Sequence, residues 1–327
     1  MTENSKAIAV FCSTLATEKE LKPLEPRKWG EIALKLQELK REPEELLNYS
    51  VNELQTVLDI PAEQACQMGR LRDRSAALFF EISKYENMGI NIVTRADKLY
   101  PVKLKRKLKN QCPPLFYIAG ESEILNSAFI GFVGSRSIEF GDEEFTRNTV
   151  NTVAQAGYGV VSGGAKGVDS VSEDEGMNNG INIVEFVSDS MMRKLRSPKI
   201  LTAVQNGNMV ILSEVKPDAG FNAGMAMARN KYIYIQSEAT VVVRTDLNKG
   251  GTWGGATECL KKGWVPVLCR NKESYPGNMA LIERGAIPID QYWDGSIPDI
   301  LGRNTMASDS FVRTAVQEEV QLSFDGF

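Results

Sequence analysis

The sequence predicts an α/β protein in which a parallel, doubly wound sheet follows a small helical domain. Three observations predict it. From Phe129 onward, short continuous apolar runs alternate with stretches of helical length, the pattern of strands buried on both faces and joined by crossover helices. Before about residue 95 the apolar residues instead recur at helical spacing. The 327 residues, 43% hydrophobic and 24% charged, form a globular composition long enough for two domains.

The helical half reads as follows. Ala7 to Ala16 is apolar but short and preceded by Glu3, which suits a first helix better than a signal peptide. Trp29, Ile32, Ala33, Leu36 and Leu39 share one helical face, and Pro43 opens a further helix with Leu46 and Leu47. Ser50-Val51-Asn52-Glu53 has the form of a capping box and starts a helix carrying Leu54, Val57 and Leu58. Pro61 begins the next, and Ala76 to Met88 forms another that Gly89 stops. No run approaches the ~18 apolar residues that a membrane span needs.

Strands are then expected at Ile90–Val93 and Leu115–Ile118, with Tyr100-Pro101 and Cys112-Pro113-Pro114 as loop punctuation. The alternating part has strands at Phe129–Val133, Tyr158–Val161, Ile181–Val187, Met209–Leu212, Thr240–Val243 and Val265–Cys269, with a helix from about Asp142 to Ala156. The expected organisation is a helical domain over 1–95, the sheet domain over 96–300 and a short tail over 301–327, one helix or a loose end.

Composition narrows the chemistry. There is no histidine, so His-dependent nucleophilic, general-base and metal chemistry is excluded. The five cysteines are scattered, with no C-x-x-C pair. No zinc site or disulfide framework is expected, and the thiols suit a cytoplasmic protein. No metal and no cofactor is expected. The net charge of -4 leaves no whole-chain basic footprint, so a polyanion would have to be held locally.

In open parallel sheets ligands bind beyond the carboxyl ends of the strands. There the sequence places Gly134-Ser135-Arg136, Ser162-Gly163-Gly164-Ala165-Lys166-Gly167, Ser213-Glu214, and Arg244-Thr245-Asp246 followed by Lys249-Gly250-Gly251-Thr252. Glycine lets backbone amides approach a phosphate, helix N-termini add aligned donors, and Arg136, Lys166 and Lys249 add charge. Each loop alone reads equally well as an ordinary turn. Neither Walker A nor G-x-G-x-x-G after the first strand is present, and it is the recurrence at one edge that points to phosphate. Asp169 reads as a helix N-terminal carboxylate, and Glu258 as a solvent-facing helix residue.

In order, Tyr100-Pro101, Pro113-Pro114-Leu115-Phe116, Val133-Gly134-Ser135-Arg136, Val161 to Asp169, Leu212-Ser213-Glu214, Arg229-Asn230 and Leu281 to Ala286 resemble the DprA/Smf family of DNA-processing proteins, from roughly Pro23 to Ile289. The resemblance implies a helical domain of sterile-alpha-motif type before an extended Rossmann fold. It also implies homodimerisation, binding of single-stranded DNA without hydrolysis, and delivery of the strand to a RecA-type recombinase. By that resemblance Arg136 and, with it, Lys166, Arg229, Asn230, Lys231 and Lys249 contact phosphates.

The chain departs from the pattern at Glu173-Asp174-Glu175, where the family has an Ala-His pair, and at Lys249 to Gly255. That second segment is closer to the LOG family of nucleotide phosphoribohydrolases. The alternative reading is therefore a small-nucleotide sensor or N-glycosidase in which Glu258 or Glu214 acts near the sugar. A third is a scaffold that has lost its ligand, motivated by the acidic triplet.

Overall fold

The structure is a computed structural model. It describes residues 1–18, 20–293, 295, 296 and 299, so the expected tail over 301–327 lies outside the described residues.

Five helices come first: α1 (Glu3–Cys12), α2 (Pro26–Glu38), α3 (Val51–Leu58), α4 (Ala62–Asp73) and α5 (Ser75–Glu86). Local chemistry sets their ends. Ser50 caps α3 by accepting from the Glu53 amide, while the Glu53 carboxylate takes the Ser50 amide at 2.7 Å, the reciprocal arrangement its sequence predicts. Trp29, Ile32, Ala33 and Leu36 are buried along α2. Leu39 departs from that face: it is the residue that ends the helix and is 41% exposed. Pro43 opens a 3-10 turn rather than an α-helix.

The sheet region follows in the order β1 (Ile90–Thr94), α6 (Val102–Leu108), β2 (Leu115–Ala119), β3 (Phe129–Val133), α7 (Phe140–Gln155), β4 (Gly159–Ser162), α8 (Val168–Asn178) and β5 (Ile183–Val187). It continues with α9 (Met191–Lys194), α10 (Pro198–Gln205), β6 (Met209–Ser213), α11 (Ala223–Gln236), β7 (Ala239–Val242), α12 (Gly250–Lys262), β8 (Val267–Arg270), α13 (Pro276–Glu283) and β9 (Ile287–Ile289).

Among the described residues nine strands form one sheet in the order β1-β2-β6-β5-β4-β3-β7-β8-β9. From β6 to β9 every neighbour is parallel, as the continuous apolar strands require. β1 and β2 extend the β6 edge antiparallel. The strand positions expected from the sequence hold within one or two residues. The three-residue β9 and the seven-residue α6 were too short to register as periodic segments.

Two apolar layers cover the sheet's faces. On one, α1 and its neighbours share a core with Leu115, Tyr117, Ile183, Met209 and Ile211, so the helical segment and the sheet are packed without a gap. On the other, Phe116, Phe186, Tyr232 and Trp253 join α6, α11 and α12 to the strands. Chain direction reverses around β3: β4, β5 and β6 build outward on one side and β7, β8 and β9 on the other. That reversal is the switch point at which doubly wound sheets open a crevice.

A candidate phosphate-binding cavity at the switch point

The loops after β3 and β7 diverge at the switch point and leave a cavity of about 370 Å³. Gly134, Ser135 and Arg136 form one wall; Lys249, Gly250, Gly251 and Thr252, at the start of α12, form another; Arg229 and Asn230 of α11 lie between. Thr252 Oγ1 donates to the Gly134 carbonyl at 3.0 Å and Asn230 Nδ2 to the Gly251 carbonyl at 3.1 Å, so the walls are fixed to each other. No side chain caps the N-terminus of α12. Its first amides therefore remain as donors at the end of a helix dipole.

Of the expected cations, two stand free at this site. Arg136 and Lys249 are exposed, line the cavity and have no ion pair among the described residues. The Arg136 guanidinium lies over the ring of Phe221, 5.4 Å from its centroid, and Phe221 is itself 58% exposed. Lys166 is exposed beside the cavity without lining it. Lys231 lies outside, over the ring of Tyr232 at 5.2 Å. Arg244 reaches the wall but is committed to Glu139 at 2.9 Å and Asp142 at 3.0 Å.

Arg229 is placed differently from a surface contact. It is 5% exposed and donates to the Phe186 carbonyl at 2.7 Å. Gly163 crosses directly over it: a Cβ there would lie 1.7 Å from Nη1. Ser162 also turns inward, donating to the Glu173 carboxylate and accepting from the Gly164 amide. The second glycine loop therefore rests on a buried ionic cluster of Asp169, Glu173, Glu185, Lys194 and Arg229. Gly167 closes the loop at φ +81°, against the Ser135 carbonyl, a conformation that favours glycine.

In this cluster three carboxylates face two cations. Lys194 Nζ lies 2.7 Å from Glu185 and 3.9 Å from Glu173. Burial pushes the Glu173 carboxyl well up, and the Glu185 charge pushes it further. Burial also raises Glu185 and Asp169, with Lys194 and Arg229 respectively opposing it. Burial alone would lower Lys194, but the two glutamates outweigh it and hold the ammonium above its ordinary value.

The acidic triplet is not a patch facing the cavity. Glu173 is buried in the cluster, Asp174 pairs with Lys199 at 2.8 Å, and Glu175 with Arg147 at 2.8 Å. Of the carboxylates in the small-nucleotide reading, Glu258 is exposed on α12 and Glu214 accepts from the Tyr232 hydroxyl; neither lines the cavity. The carboxylates that do are Asp169 and Asp246.

Sequence reasoning passed over Phe221 and the Glu185–Lys194 pair. Glu185 had a legible signal, a lone carboxylate inside an apolar strand, which demands a buried partner. Phe221 had a weaker one, an aromatic residue in a polar loop.

The profile of the family described as DNA recombination-mediator protein A matches residues 91–295. Protein Smf of Escherichia coli K12 is 25% identical over 184 residues, 55% of this chain. The chain spans about half the length of that relative, 49%. Among solved structures, DNA processing protein A (DprA) from Streptococcus pneumoniae is similar with a TM-score of 0.70 at 16% identity, covering 91% of this chain and 96% of that one. DNA processing protein A from Helicobacter pylori, studied for its single-stranded DNA binding mode, gives 0.52 at 20% identity, covering 67% of this chain and 96% of its own. With the family profile spanning well over half of the sequence and the sheet order on the page, the chain belongs to the DNA recombination-mediator protein A (DprA/Smf) family.

Proposed function

We propose that this protein binds single-stranded DNA, without cleaving it, by holding strand phosphates at the switch-point cavity. The observation that carries the reading is the pairing of unpartnered Arg136 with the exposed ring of Phe221 at the mouth of a cavity into which the uncapped α12 opens. A strand needs such a combination: cation and amide donors for successive phosphates, and a flat apolar face for an unpaired base. The net charge of -4 is no obstacle, because Arg136 and Lys249 stand exposed at this edge with no ion pair among the described residues. Lys249 and the amides of Gly250 and Gly251 hold phosphate in this reading. Lys166 guides the strand at the rim, and Gly134, Gly163 and Gly167 keep the walls close. In this reading the protein is a cytoplasmic homodimer that hands the strand to a RecA-type recombinase, and the family's description as a recombination mediator supports the hand-over.

The test is fluorescence anisotropy of a labelled single strand of about 30 nucleotides, with wild type and Arg136→Ala across a salt series. Loss of one phosphate contact makes log K against log salt shallower by about 0.7. Equal affinity and equal slope in the two proteins would refute the assignment. Sedimentation of the protein alone and with a recombinase filament tests the dimer and the hand-over.

A further inference from the structure

The seven residues 103–109 contain five cations and no carboxylate, in a chain whose overall charge is negative. They form α6 and the turn after it. Leu104 and Leu108 are buried and anchor the helix, which leaves Arg106, Lys107 and Lys109 exposed, with no ion pair among the described residues. Lys109 adopts φ +49°, a backbone region where glycine would be less strained.

α6 lies over the C-terminal half of α11. Lys103 reaches the Gln236 carbonyl at 3.1 Å and Glu238 at 2.6 Å, and Tyr232 through Gln236 are all buried. The N-terminal half of α11, from Ala223 to Asn230, lines the cavity. Lys231 stands between the two regions: it follows Asn230, and its ammonium lies 5.2 Å from the ring centroid of Tyr232, which shares a core with Leu104 and Leu108 of α6. From Asn230 α11 runs on for six residues to Gln236, about 9 Å, so a strand that fills the cavity reaches α6 within a few more nucleotides.

We propose that Lys231 and the exposed cations of α6 and the turn after it, Arg106, Lys107 and Lys109, form a second phosphate-binding track that receives the same DNA strand as it leaves the switch-point cavity. The inference rests on the single-strand reading of that cavity and extends it from one phosphate site to a path. The contacts are to the sugar-phosphate backbone and carry no sequence preference.

The test uses the full chain and two labelled strands, one no longer than the cavity and one of about 25 nucleotides. The triple variant Arg106→Gln, Lys107→Gln, Lys109→Gln leaves affinity for the short strand unchanged. On the long strand it weakens binding on the order of 100-fold near 0.1 M salt and makes the salt slope shallower by about 2. Lys231→Gln on its own produces the same pattern with a slope change of about 0.7. Equal binding of the long strand by the triple variant and wild type would overturn the proposal. So would a wild type that gains nothing from the longer strand while holding the short one. Failure of wild type to hold either strand would instead overturn the cavity reading. If the triple variant loses short and long strands alike while its melting temperature is unchanged, α6 is part of the cavity site rather than a track beyond it, and the proposal falls.

Discussion

Arg229→Met separates two roles for one arginine. The family resemblance makes Arg229 a DNA contact; the structure places it beneath Gly163 at 5% exposure. Its guanidinium donates to the Phe186 carbonyl at 2.7 Å and is the cation that opposes the burial of Asp169. Removing it deletes a charged hydrogen bond and leaves Asp169, Glu173 and Glu185 with Lys194 alone. The two losses overlap, so they do not add; breaking a buried ion pair from one side costs about 3–5 kcal/mol. Against a total stability of about 5–15 kcal/mol, this is a large fraction, and the expected fall in melting temperature is roughly 10 °C. The assay is thermal unfolding followed by circular dichroism, with strand binding then measured well below the transition. A double variant with Glu185→Gln recovers part of the loss, because one uncompensated carboxylate is removed with the cation. A variant that melts like wild type yet no longer binds the strand would refute the reasoning and return Arg229 to the role of a direct contact.

Three further outcomes are expected. Gly167→Ala forces a side chain into φ +81° and against the Ser135 carbonyl; it should cost about 2 kcal/mol or more, and an unchanged urea midpoint would contradict the close approach of the two loops. Glu173 has a folded-state pKa raised above its ordinary value of 4.5, so its contribution is fully present below that value and is lost as pH rises through the folded pKa; urea unfolding from pH 5 to 8 should show stability falling across that window and the slope flattening in Glu173→Gln. Because Glu258 and Glu214 lie outside the cavity, Glu258→Gln and Glu214→Gln should bind single strands within twofold of wild type, and a tenfold loss in either would reopen the small-nucleotide reading.

Much of this architecture was legible because its signals are local. Apolar runs such as Phe129–Val133 and Met209–Ser213 have one burial environment along their whole length, and the Ser50–Glu53 box closes within four residues. The glycine loops were found because strand ends and turn residues are adjacent in sequence. Side-chain direction was not legible. Arg229 and Lys231 are two residues apart on α11, yet one lies beneath the glycine loop and the other stands outside the cavity. Almost every side of the second half of that helix is covered, by strands within and α6 without, so no amphipathic stripe marks its orientation. Glu173 and Asp174, neighbours on α8, diverge too, one sealed against Ser162 and the other paired with Lys199 at the surface. Strand neighbours across the antiparallel edge depend on which distant segment completes the core, and periodicity within β2 carries no information about β6.

That antiparallel edge has a consequence for biosynthesis. Tyr117 of β2 pairs with Ser213 of β6, so a strand already synthesised must wait for a partner encoded far downstream. At about 5–20 residues per second the interval is on the order of 5–20 s. During it Leu115 to Ala119, buried at every position in the finished sheet, has β1 on one side and an unsatisfied row of backbone donors and acceptors on the other. The nascent chain thus carries a sticky strand for several seconds on the ribosome. Selective ribosome profiling would find chaperone engagement beginning as β2 leaves the exit tunnel and ending as β6 does.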